Sequence, residues 1–169
     1  MSEYTYEPKF YENGLIREEQ WRKDGKRHRE GDKPAMIWYR EDGSIRYEYW
    51  FKDGKLYREG DKPAFVSYRK NGSISSEQWY KDGEFHREDD KTAFIRYRED
   101  GSIESEQWFK DGKLHREGDK PASIWYREDG SIERRVWYKD GVIYTPQKDS
   151  CHDKLVEIDG KKYKLTLVD

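Results

Sequence analysis

The sequence is short of cysteine, of apolar residues and of net charge, and each shortage removes a class of protein. Cys151 is the one cysteine in 169 residues, so no intrachain disulfide can form and the fold does not depend on an oxidising compartment. Lys and Arg total 34 against 36 Asp and Glu. Without a basic excess, the charge balance argues against nucleic acid and against an anionic membrane as partner. No apolar run approaches a membrane span, and the opening MSEYTYEPKF lacks the apolar core of a secretory signal. The expectation is a soluble, cytoplasmic protein. Gly-rich phosphate loops, nucleophile elbows and paired-cysteine zinc spacings are missing as well. The sequence therefore predicts no enzyme, no cofactor and no metal.

Only 33% of residues are hydrophobic while 41% are charged, a balance typical of disordered chains. The aromatics reverse that reading. Seven Trp, fourteen Tyr and six Phe each bury a large area when packed, which predicts a thin core, one layer of rings deep.

The aromatics fall in a repeat. Up to Tyr144, glycines that follow Asp or Asn in a turn-like context stand at 14, 25, 43, 54, 72, 83, 101, 112, 130 and 141, with spacings alternating 11 and 18. The period is 29 residues, without insertion or deletion. Within Ala35 to Pro63, AMIWYR reads as a strand, EDG as a hairpin turn, SIRYEYWF as a second strand, KDG as a second turn and KLYR as a third, shorter strand. The fold class expected is all-β: an elongated open antiparallel meander of five tandem three-stranded repeats, about fifteen strands and on the order of 70 Å long at 4.8 Å per strand. The array occupies 1–144, with a degenerate N-terminal cap at 1–13. Residues 145–169 form a linker and a C-terminal capping hairpin, its strands within 154–168 and its turn at Asp159-Gly160.

The copies can be compared with one another. Trp21, Trp50, Trp79, Trp108 and Trp137 form one constant column, and Tyr39, Tyr68, Tyr97 and Tyr126 another. Ala35, Ala64, Ala93 and Ala122 form a third, and Ile16, Ile45, Ile74, Ile103 and Ile132 a fourth. Alternating apolar positions predict core packing rather than a ligand platform. The segment REGDKPA recurs at 29–35, 58–64 and 116–122, with REDDKTA at 87–93. A catalytic motif is rarely needed four times, so this stretch is expected to be a joint. Arg29, Arg58, Arg87 and Arg116 would pair with Asp32, Asp61, Asp90 and Asp119 to pin the loops between copies. Arg40, Arg69, Arg98 and Arg127 are expected to pair across strands with Glu48, Glu77 and Glu106. His28, His86 and His115 share a column with Tyr57 and Tyr144. With three strands per copy, side chains one copy apart would lie roughly 14 Å from each other, too far to share a metal. The run CHD at 151–153 has no spaced partner ligand. Met36, Trp38, Phe65, Phe94 and Trp125 alternate with the constant columns and vary, so they are the candidate interaction surface for self-association or a protein partner. The alternative for that face is cover by Tyr49 and Phe51 of the chain itself.

YEYWFKDGKLYREG and YRKNGSISSEQWYKDGEFHRE resemble MORN repeats in their divergent bacterial and giant-virus form, over about residues 6–144. Shared are an aromatic pair, Asn/Asp-Gly, and Lys-hydrophobic-His/Tyr. The period here is longer, the extra residues falling in the REGDKPA loop, and the glycines that usually follow the His are missing. The loop resembles those multiplied in large DNA viruses of amoebae, which would place the protein in host cytoplasm or virion. The resemblance implies a twisted antiparallel scaffold. It also raises a lipid-surface adaptor and an antitoxin-like binding protein as alternatives.

Overall fold

The computed structural model describes residues 2–146, 155–158 and 161–164. Among them every regular element is a strand. One large antiparallel sheet, not closed, takes the strands Tyr4–Phe10, Ile16–Lys23, Met36–Tyr39, Ile45–Tyr49, Phe65–Tyr68, Ile74–Gln78, Phe94–Tyr97, Ile103–Gln107, Ser123–Tyr126, Ile132–Lys139 and Val142–Tyr144 in chain order, with Lys26–Arg27 paired beside the second of them. Eleven strands along this path at about 4.8 Å per step extend about 48 Å.

This is shorter than the fifteen-strand expectation, because each 29-residue copy gives the sheet two strands rather than three. The ladder divides at Trp50. Its N–H donates to the Ala64 carbonyl of the next copy, while its carbonyl accepts from the Tyr57 N–H. The residues beyond it, Phe51–Lys52 and Lys55–Leu56, close on each other as a separate two-stranded ladder. Tyr80–Lys81 with Glu84–Phe85, and Phe109–Lys110 with Lys113–Leu114, do the same. Asp53 and Gly54 both have positive φ, 51° and 86°, the conformation of a two-residue hairpin turn whose twist matches its strands. These small hairpins are tied in a row: the Gly54 N–H donates to the Arg27 carbonyl, Gly112 to Phe85 and Gly141 to Leu114.

The first turn of each copy settles which residues share a face. Asp42 accepts from the Ser44 N–H at 2.9 Å, and the register slips so that Trp38 opposes Tyr47 but Tyr39 opposes Ile45. Arg46 is the bulged residue, and Ile45 returns to the side of Tyr39. One face thus carries Ala35, Ile37, Tyr39, Glu48 and Trp50, and the other Met36, Trp38, Tyr47 and Tyr49. Trp50, Ala64 and Val66 pack together with Tyr68 and Tyr80; Trp108, Ala122 and Ile124 pack with Tyr126, Ile132 and Tyr138. Of the constant isoleucines, Ile132 joins this core, but the three of the middle copies do not, contrary to expectation. Ile45, Ile74 and Ile103 are 36%, 38% and 36% exposed, because no described residue covers that margin of a one-layer sheet.

The two ends of the sheet differ. The Asp24 N–H donates to the Glu3 carbonyl at 2.8 Å, flanking the Tyr4–Lys23 pair. By the alternation of an antiparallel ladder, Tyr4, Tyr6 and Pro8 direct their backbone nitrogens outward. Pro8 therefore removes a donor from the middle of the free edge. At the other end the equivalents of Tyr47–Tyr49 are Arg134, Arg135 and Val136. Among the described residues no strand pairs with their outer side. Leu155–Ile158 and Lys161–Lys164 pair with each other. The Asp159-Gly160 turn and the CHD run lie outside the described residues. No described helix is long and apolar enough to cross a membrane.

Candidate functional site

The joint is a four-residue node that crosses from one copy to the next. Asp32 accepts from Arg58 Nε at 2.6 Å and Nη2 at 3.2 Å, and from Lys62 Nζ at 2.6 Å. Asp61 does the same with Arg87 and Lys91, and Asp90 with Arg116 and Lys120. Each arginine therefore serves the aspartate of the preceding copy rather than its own. Its guanidinium also lies on the indole eight residues before it: Arg58 on Trp50 at 3.8 Å, Arg87 on Trp79 at 3.9 Å and Arg116 on Trp108 at 3.7 Å. The indole N–H in turn donates to the aspartate's carbonyl, as Trp50 does to Asp32 and Trp79 to Asp61. Asp32, Asp61, Asp90 and Asp119 reach this geometry at φ of 53–55°, a left-handed conformation that aspartate tolerates better than most side chains. Asp89, where the other copies have glycine, also sits there, at 61°.

The cations hold these carboxylates ionised. Hydrogen bonds from Arg58 and Lys62 depress Asp32 well below the usual carboxylate range. Arg87 lowers Asp61 to about 2, overriding the opposing effect of burial. At Asp90 burial acts upward, but Arg116 and Lys120 outweigh it. Arg29 lies on Trp21 at 3.5 Å, and its Nη1 donates to the Pro34 carbonyl at 3.2 Å.

Lys62, Lys91 and Lys120 were not among the expected joint residues. Their signal is the constant Lys that stands four places after each Arg. The Arg40 and Glu48 ladders do not pair with each other, contrary to expectation. Both take hold of the next copy's tyrosine instead: Tyr68 donates its hydroxyl to Glu48 at 2.6 Å, and Arg40 donates to the Tyr68 carbonyl. Tyr97 and Tyr126 are held likewise by Glu77 with Arg69 and by Glu106 with Arg98. Burial, then the bond to Glu106, raises Tyr126 to about 12.

The histidines also bridge copies. His28 Nδ1 accepts from the Asp53 N–H at 3.2 Å, His86 from Asp111 at 3.3 Å and His115 from Asp140 at 3.1 Å. With two strands per copy, His86 and His115, one copy apart, are spaced by about 10 Å rather than 14 Å, and His28 lies two copies from His86, about 19 Å. Among the described residues no group of three His, Cys, Asp or Glu side chains is placed to hold a metal.

The opposite face carries the variable column. Met36 is buried, at 8% exposure, while Trp38, Phe65, Phe94 and Trp125 are half-buried. Tyr47 and Tyr49 reach Phe65 at 5.8 and 4.8 Å between ring centres, and Phe51 stacks on Tyr49 at 6.2 Å. The chain's own aromatics thus cover part of this face, at its N-terminal end. The indole Nε1 of Trp38 is buried and finds no acceptor among the described residues. Towards the C-terminus the same column is polar: Ser67, between Ser75 and Ser76 at 2.6 and 2.7 Å, then Arg96, paired with Glu104 at 3.2 Å. Trp125 follows, with the Arg134 guanidinium 5.3 Å from its ring.

No family model, curated protein or solved structure matches this chain.

Proposed function

We propose that the chain is a non-enzymatic repeat scaffold, of the divergent MORN type, that binds protein through the variable face of its sheet. One observation carries this reading. The joint side is built alike in successive copies, whereas the other face changes from an aromatic cluster around Trp38 and Phe65 to serines, then to Arg96 and Trp125. A surface that only had to pack would repeat with the period. A half-exposed face that varies while its frame does not gives a partner a particular pattern to recognise. The finer organisation belongs to the same proposal: five tandem copies over 1–144, with the hairpin of Leu155–Ile158 and Lys161–Lys164 as C-terminal cap.

The test is the double variant Trp38→Ser, Trp125→Ser. Its circular dichroism and melting midpoint should stay close to the parent, while self-association by light scattering, or retention of a partner found with the parent, falls. Cold-sensitive unfolding of the variant would assign both rings to the core. Co-sedimentation of the parent with anionic vesicles at physiological salt would replace the protein-binding reading with the lipid one.

A further inference from the structure

The last joint has the acid and the indole of the others but, among the described residues, not their cations. Trp137 Nε1 still donates to the Asp119 carbonyl, at 2.9 Å, so the frame of the node is kept. Where the period calls for arginine stands Thr145. Among the described residues the Asp119 carboxylate has one partner, the Tyr144 hydroxyl at 3.2 Å, and no cation lies over Trp137. Trp50, Trp79 and Trp108 are buried beneath their arginines, at 7%, 6% and 7% exposure, whereas Trp137 is half-open.

We infer that Asp119 and Trp137 form a binding site for an arginine side chain presented by a segment of a partner protein in which a lysine stands four residues after that arginine. The ligand class follows from the three filled joints. A planar guanidinium can lie on an indole and at the same time direct a pair of N–H groups at one carboxylate; an ammonium cannot do both. In each filled joint a lysine four residues after the arginine reaches the same carboxylate's second oxygen, as Lys62 does at 2.6 Å. An Arg followed by Lys at that spacing is therefore the preferred ligand. The surroundings are of mixed charge, with Glu133, Arg134 and Arg135 beside Trp137, so recognition rests on the stacked and bidentate geometry rather than on net field. Tyr144 holds the carboxylate in the meantime and is displaced by the incoming guanidinium. This site is separate from the variable face and does not depend on that reading.

The experiment titrates the full chain with the synthetic peptide Arg-Glu-Gly-Asp-Lys-Pro-Ala. It follows the indole N–H resonances by NMR, with Trp137 assigned by its loss in Trp137→Phe. The Trp137 signal should move and saturate while the other six indoles hold still. Replacing the peptide's arginine by citrulline, or Asp119→Asn in the protein, should weaken binding about tenfold or more, since a hydrogen bond to a charged group is lost. Tyr144→Phe should tighten binding. Thr145→Arg should fill the site from within, abolishing peptide binding and raising the melting midpoint. The inference is overturned if the peptide moves the buried indoles as much as Trp137, if Asp119→Asn binds like the parent, or if Thr145→Arg leaves the titration unchanged.

Discussion

Replacing Trp79 by alanine tests whether the joints hold the array together. Trp79 is 6% exposed, carries the Arg87 guanidinium 3.9 Å from its ring centre and donates to the Asp61 carbonyl at 3.0 Å. Deleting a buried aromatic costs about 3–5 kcal/mol, a range that already contains its contacts and the cavity left behind. Against a whole-domain stability of about 5–15 kcal/mol, that loss is large. Trp79→Phe divides the effect: it keeps a ring beneath Arg87 but removes the indole N–H, and should cost about 1–2 kcal/mol. Trp137→Ala, at a half-open position with no stacked guanidinium, should cost about 1–2 kcal/mol. Urea melts of the three variants, followed by circular dichroism and read as midpoint times slope, give the comparison. Equal losses for Trp79→Ala and Trp137→Ala would refute the view that stability is a sum of neighbour terms. A phenylalanine variant as damaged as the alanine one would deny the ring any part in seating Arg87.

Two further outcomes follow from the joint and from the edge. Asp61 titrates at about 2 when folded and at about 4 when unfolded. Its contribution is therefore complete above the unfolded value and lost as pH falls through about 4 towards 2. Asp61→Asn should flatten that acid limb and cost about 1 kcal/mol at neutral pH, allowing for screening at a carboxylate 44% exposed; an unchanged limb in pH-dependent melts would remove Asp61 from this role. Pro8→Thr restores an outward N–H on the first strand, and light scattering should show larger species than the parent as concentration rises. A variant that scatters like the parent throughout would mean that the edge is guarded by other groups.

The turns, the alternation and the facing of Ile37 and Tyr39 away from Met36 and Trp38 were legible in the sequence, because Asp-Gly pairs and a two-residue side-chain period are local properties. The departure of the third strand was not. Phe51 continues the aromatic pattern of Tyr47 and Tyr49 without a break, and only the Trp50 hydrogen bonds reveal that the ladder divides there. The partners in the joint were hidden for a related reason. Arg58 and Asp61 are near neighbours in sequence, yet Arg58 pairs with Asp32, 26 residues away, and that choice depends on the pitch of the sheet. Constancy misled for Ile45, Ile74 and Ile103, which recur at the margin of the first turn and stay exposed. The change at the last joint was readable as Thr145 in an arginine column, once the column had a structural meaning.

The bonds between copies have fixed spans: 18 residues from Trp79 to Asp61, 26 from Arg87 and 30 from Lys91 to the same aspartate, and 28 from Arg69 to Tyr97. The 30-residue span exceeds the 29-residue period and crosses a boundary wherever the boundary is drawn, and because the pattern is periodic a block of 29 consecutive residues holds one of each bonding residue in any phase. A tandem duplication of 29 codons, begun at any codon within the array, adds a full set of these bonds and removes none. A slip of a single codon misaligns every span that contains it, and the 30-residue spans overlap, so between residues 32 and 120 no slip escapes them. The length of such a chain can therefore change in whole steps, each about 10 Å of sheet, while both of its dissimilar ends remain as they were.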